Sequence, residues 1–116
     1  LHALHAALKP GGVALICLPN AESAVLEIVG ENWRGLEAPR HLAIPTWRHM
    51  IQLTTSMGFV VEASSASPWA TLDESLAIAR RREGAEWIQR IEAAVAARME
   101  VAPEQSDFIN LVLKKK

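Results

Sequence analysis

Val13-Ala14-Leu15-Ile16-Cys17-Leu18 is an unbroken apolar run, bounded by Pro10-Gly11-Gly12 on one side and Pro19-Asn20 on the other. Six apolar residues between two turn signals read as a β-strand. A strand without alternation is expected to be covered on both faces, as in parallel α/β sheets. Few following elements could do that covering. Ahead of the run, Leu1, Leu4 and Leu8 share one helical face with His2 and His5 off it, and position 1 is not Met. The economical expectation is that these residues form the carboxyl-terminal part of a larger α/β domain whose first half precedes Leu1.

Composition narrows the class. The 116 residues are one domain's worth of chain, half of them hydrophobic and 22% charged, which fits a globular rather than a disordered protein. A net charge of −1 offers no electrostatic footprint for nucleic acid or anionic lipid. No apolar run approaches the ~20 residues of a membrane-spanning helix, and the opening residues lack a signal-peptide pattern. The single cysteine, Cys17, rules out a disulfide framework within the chain and is expected to be a buried, inert thiol. A reducing cytoplasm is the expected compartment.

Beyond the first strand, residues 21–29 read as a short helix closed by Gly30. The stretch 31–42 has no periodicity and combines Trp33, Gly35 and Pro39 with several charges, so it reads as a functional loop. Thr46 is an N-cap for a helix that buries Trp47, Met50, Ile51, Thr54 and Met57. Gly58 suits the left-handed position after it, and residues 59–63 form a second strand. Thr71 and Glu74 match a capping box for a helix reaching Arg82. After Gly84 a further helix carries Trp87 or Ile88, Ile91, Val95 and Met99 along one stripe and ends at Pro103. Residues 108–113 form the last strand. Two of these steps are βαβ-like, so a mostly parallel sheet is expected.

Leu8-Lys9-Pro10-Gly11-Gly12 running into Val13 to Asn20 resembles the turn and fifth strand of class I S-adenosylmethionine-dependent methyltransferases. Trp33, then Pro39-Arg40-His41-Leu42, then a helix ending Met57-Gly58-Phe59, is similar to the branch of that superfamily with a Trp…Pro-Arg-His-Leu loop before the sixth strand. The resemblance implies the carboxyl-terminal part of a Rossmann-like fold, residues 1–116 being one partial domain. Its three-stranded mixed sheet would hold the last strand antiparallel and inserted between the other two. Flanking helices and a helical insert over 68–105 complete it. The family's glycine-rich cofactor loop and the acidic residue that binds the ribose have no counterpart here, so both would belong to the missing amino-terminal half. Ala43-Ile44-Pro45 stands where family members often carry aromatics, and the 68–105 segment is longer than in the smallest members. That insert resembles superfamily elements that cover substrate or form dimers, so a homodimer through it is one implied partner.

The residues themselves offer several candidates, each with a plainer structural reading beside it. Pro19 and Asn20 lie at the carboxyl end of a strand, where open α/β sheets place ligands. Pro19 would touch the cofactor, and Asn20 would either line the substrate pocket or bond its own turn. His41 suits a base that takes the acceptor's proton, or it orders the loop. Arg40 could grip a substrate carboxylate or phosphate, or pair with Glu37 or Glu31. Trp33 is a pocket wall or a loop anchor, and Trp69 is expected at the rim of the site. No Cys or carboxylate stands at zinc-ligand spacing near the histidines, so no metal site is expected. Arg80-Arg81-Arg82 suits the negative end of a helix dipole and reads as a solvated face.

The leading expectation is methyl transfer from S-adenosylmethionine to a small-molecule substrate, with these residues on the substrate side and inactive alone. The alternative is a methyltransferase-like binding or interaction module without catalysis.

Overall fold

Gly11 adopts a φ of +75°, a conformation that costs glycine nothing. Its N–H donates to the Lys115 carbonyl at 2.9 Å. The Pro-Gly-Gly turn thereby fastens the start of the first strand to the end of the last. The computed structural model describes every residue except Ala38 and Met99; Met99, expected on the stripe of the last helix, therefore lies outside the described residues.

Helix α1 (His2–Ala7) leads into β1 (Val13–Pro19). Helix α2 (Ala24–Val29) follows, capped by Ser23, whose Oγ accepts from the N–H groups of Val25 and Leu26. The chain between α2 and the next helix contains two 3₁₀ turns, Gly30–Asn32 and Arg34–Leu36. Helix α3 (Trp47–Ser56) starts at Thr46, which accepts from the His49 N–H as its N-cap role requires. Gly58 turns left-handed at φ +87°, and β2 (Phe59–Ser65) begins at once. Helices α4 (Leu72–Arg82) and α5 (Ala85–Ala97) fill the segment expected to be a helical insert, and β3 (Phe108–Lys115) closes the chain.

The fold is α/β, with a three-stranded sheet in the order β1-β3-β2. The last strand does insert between the other two. β3 runs antiparallel to β1 from Val13↔Lys114 to Pro19↔Phe108, and antiparallel to β2 from Phe59↔Lys115 to Ser65↔Asn110. The mostly parallel sheet expected from the element order is therefore corrected: both neighbouring pairs are antiparallel, as the inserted antiparallel last strand requires, so the three strands do not form a mixed sheet. The reason is the entry point of β3. The chain returns from the helices beside the carboxyl end of β1 and has to run back along it. β1 and β2 share a direction but do not touch.

One face of the sheet carries the core. Phe59, Ile109, Leu111 and Leu113 are buried there with Met50, and Leu4, Leu8, Trp47 and Ile51 pack over them. Each fully buried side chain of this kind contributes about 1.5–3 kcal/mol. A second cluster, Val25, Val29 and Trp33, gathers Trp69, Leu72, Trp87 and Ile91 and seats α4 and α5 beside α2. The opposite sheet face is open, which corrects two expectations. β1 is not covered on both sides, since Val13 and Leu15 are 55% and 77% exposed. Cys17, on the same face, is exposed rather than buried. An apolar run reads alike whether one face or both are covered, so sequence pattern could not separate the cases.

The capping box is corrected as well. The Thr71 side chain caps nothing, because its oxygen accepts from Trp33 Nε1 and its hydroxyl donates to Asp107 instead. Among the described residues, no helix is long and apolar enough to cross a membrane.

Candidate functional site

Where β1 ends and β3 begins, Pro19 pairs with Phe108. Both line a cleft of about 330 Å³, at the small end of the range for ligand sites. Arg34, Gly35, Glu37 and His41 bring the loop after α2 to its edge, and Ala70, Thr71 and Glu74 bring the start of α4. The cleft thus lies at the carboxyl end of β1, the position the end-of-strand rule gives for ligands in α/β folds.

Glu37 organises the loop side. It holds φ +37° and ψ +40°, a left-handed backbone that non-glycine residues adopt at a cost. Its carboxylate forms ion pairs with Arg34 and with Arg40, the latter at 3.2 Å, and meets His41 Nε2 at 3.3 Å. The hydrogen bond from Arg34 is the largest influence on its acidity and holds the carboxyl below its ordinary value of 4.5. Arg40 acts in the same direction, while partial burial opposes both. Glu37 is accordingly an anion across the neutral range.

Beneath the cleft lies a second carboxylate, fully buried. Asp107 Oδ1 accepts from the Ser23 hydroxyl and, at 3.1 Å, from Trp33 Nε1. Its Oδ2 accepts from the Thr71 N–H at 2.7 Å and the Thr71 hydroxyl at 3.0 Å. Trp33 Nε1 also donates to Thr71 Oγ1 at 3.0 Å. One side chain therefore ties the α2 cap, the 33–41 loop and the start of α4 to the sheet. Asn20 adds a second tie: its Nδ2 donates to the Glu104 and Ser106 carbonyls at 2.7 and 2.8 Å.

No family model matches this chain, and neither does any curated protein or solved structure. The site must be read from its own residues.

Of the candidates named from sequence, Pro19 and His41 stand on the cleft. Arg40 is paired with Glu37 and its side chain is 74% exposed, so its plainer reading describes it. Asn20 does not line the cleft; it is buried, and its amide is committed to backbone partners. Trp33 is 2% exposed and serves as the loop anchor rather than a wall. Trp69 packs, half-buried, in the second hydrophobic cluster instead of at the rim. Sequence reading missed Arg34, Thr71, Glu74 and Phe108 on the cleft, and Asp107 below it. An acidic residue immediately ahead of an apolar strand was the one local sign of Asp107.

Proposed function

We propose that this chain is the carboxyl-terminal half of a class I S-adenosylmethionine-dependent methyltransferase, and that its cleft faces the methyl acceptor. The observation that carries the reading is the strand order. The resemblance implies a last strand running antiparallel between the two before it, and β3 does so between β1 and β2.

The open sheet face supports the same reading. A folded monomer of 12.7 kDa exposes about 6,200 Å² by the usual size scaling. This chain exposes 7124 Å², an excess of about 900 Å², close to one partner's share of a standard interface. Val13, Leu15 and Val60 contribute to it. The missing amino-terminal half is the partner we assign to that surface, and the cytoplasm is the compartment.

S-adenosylmethionine would supply the electrophilic methyl group. The residues present do not fit it as a seat. No glycine-rich turn is among the residues that line the cleft, and of its two carboxylates Glu37 is engaged by two arginines while Glu74 stands at the start of α4 and not at a strand end. These side chains do suit an acceptor. Pro19 and Phe108 offer apolar contact to its body, while His41 stands where a proton could be taken from its hydroxyl or amine.

Calorimetric titration of S-adenosylmethionine into this chain, and into a longer chain with the preceding residues restored, tests the reading. Binding is expected in the longer chain alone. Tight binding by the 116 residues themselves, or a preceding reading frame without a glycine-rich strand-turn-helix, would sink it.

A further inference from the structure

We propose that the hollow between the Gly30–Asn32 turn and the start of α5 binds the guanidinium of an arginine side chain presented by another protein. The hollow shares no lining residue with the cleft described above, and it stands whether or not the chain belongs to a methyltransferase.

It encloses about 340 Å³, with Ile28, Glu31, Asn32, Glu83 and Trp87 among its walls. Asn32 is 3% exposed. Its Nδ2 donates to Glu83 Oε1 at 3.2 Å, and its Oδ1 is buried with no donor. Among the described residues, no other buried side-chain oxygen or nitrogen is left without a partner. A buried acceptor in that state carries a desolvation penalty that a donor would remove. Glu31 and Glu83 are both exposed, and neither forms an ion pair among the described residues. Glu83 is also the C-cap residue of α4, at the helix end where negative charge is unfavourable. These three groups call for a donor that carries positive charge.

The walls select the kind of cation. Among the described residues, no three His, Cys, Asp or Glu side chains are grouped to hold a metal ion. A guanidinium instead spreads five donors over a plane and reaches several separated acceptors at once. The methylene stem of an arginine can lie along apolar surface, which Ile28 supplies. Trp87 adds an indole, the aromatic group that attracts cations most strongly. On the rim, Glu27 already holds the Arg98 guanidinium at 2.8 Å. The other terminal nitrogen of Arg98 donates to Gln105 Oε1, so that arginine is committed elsewhere.

Titration of the ¹⁵N-labelled chain with N-acetyl-arginine amide, followed by ¹H–¹⁵N correlation spectra, tests the site. Saturable shifts are expected at the Asn32 side-chain amide and the Trp87 indole N–H. The N-acetyl-citrulline amide, which keeps the shape and lacks the charge, is expected to leave both unmoved. Glu83→Gln keeps an acceptor for Asn32 and removes only the charge. That variant and Glu31→Gln are each expected to weaken binding about two- to fivefold, the range of an exposed ion pair. Equal shifts with the citrulline compound, saturation at other residues only, or unchanged affinity in both variants would each overturn the proposal. Calcium chloride producing the same shifts at lower concentration would overturn it in favour of a metal site. N-acetyl-lysine amide binding as tightly would overturn the assignment to a guanidinium. The wild-type comparison of arginine with citrulline decides the matter even if a variant does not fold.

Discussion

Asp107 and Glu37 are both carboxylates at the carboxyl end of the sheet, and they are built in opposite ways. Asp107 is fully buried and accepts only from neutral donors, contributed by residues 84, 74 and 36 positions away. Glu37 sits at the surface of a loop and faces cationic or ionisable groups three and four positions away. A buried charge is tolerated when every lone pair is met, and its loss strands several donors at once. A surface charge among arginines is screened by water and salt and adds little to stability. The first carboxylate holds elements together. The second pairs with the arginines of its own loop.

Removing each group should expose that difference. Asp107→Ala leaves the Ser23 hydroxyl and both Thr71 donors without their acceptor and the Trp33 indole N–H with Thr71 Oγ1 as its one acceptor, and is expected to cost about 3 kcal/mol in denaturant unfolding. Amide exchange should rise together in the 33–41 loop and the start of α4. Protection loss confined to one of them would show that Asp107 does not couple the two. Gly35→Ala tests the same anchor from the other side. A Cβ there would run into the benzo ring of Trp33, and overpacking of a buried site is expected to cost about 2–3 kcal/mol. Trp33→Phe keeps an aromatic in the space but removes the N–H that joins Asp107 and Thr71, for an expected loss of about 2 kcal/mol. A neutral Trp33→Phe would mean that the indole contributes only its bulk.

The contrast also explains what could be read in advance. Helix α3 with its cap at Thr46 follows from local chemistry, and so do the turns at Gly11, Gly30 and Gly58; α2 was expected over 21–29, and its start at Ala24 is set by the Ser23 cap, which sequence reading missed. The pairing of Arg40 with Glu37 was among the readings open from spacing alone. Asp107 was not foreseen, because its partners converge only after three elements have packed, and that convergence also draws Thr71 away from its capping box. The exposure of Cys17 was hidden for a related reason: alternation in burial belongs to the packed layers, and the residues of β1 are apolar on both faces. The left-handed turn at Glu37 had no sign either, since the nearest glycine, Gly35, is needed for its close approach to Trp33.

The smallest expected effect is the most specific to the surface carboxylate. Its folded-state acidity lies below the ordinary 4.5, chiefly through the hydrogen bond from Arg34. A carboxyl with a depressed folded pKa contributes its stability above the unfolded value, and loses it as pH falls through the folded one. Between neutral pH and about 4.5 the Glu37 interactions should therefore be fully present, and they should fade only below that. In Arg34→Ala the carboxyl midpoint, followed by NMR titration, is expected to rise toward 4.5, while Arg40, largely exposed, keeps it from arriving there. Raising the salt concentration should shrink the same difference, since the partners lie in water. A Glu37 midpoint that ignores both changes would mean that burial, and not its arginines, governs the group.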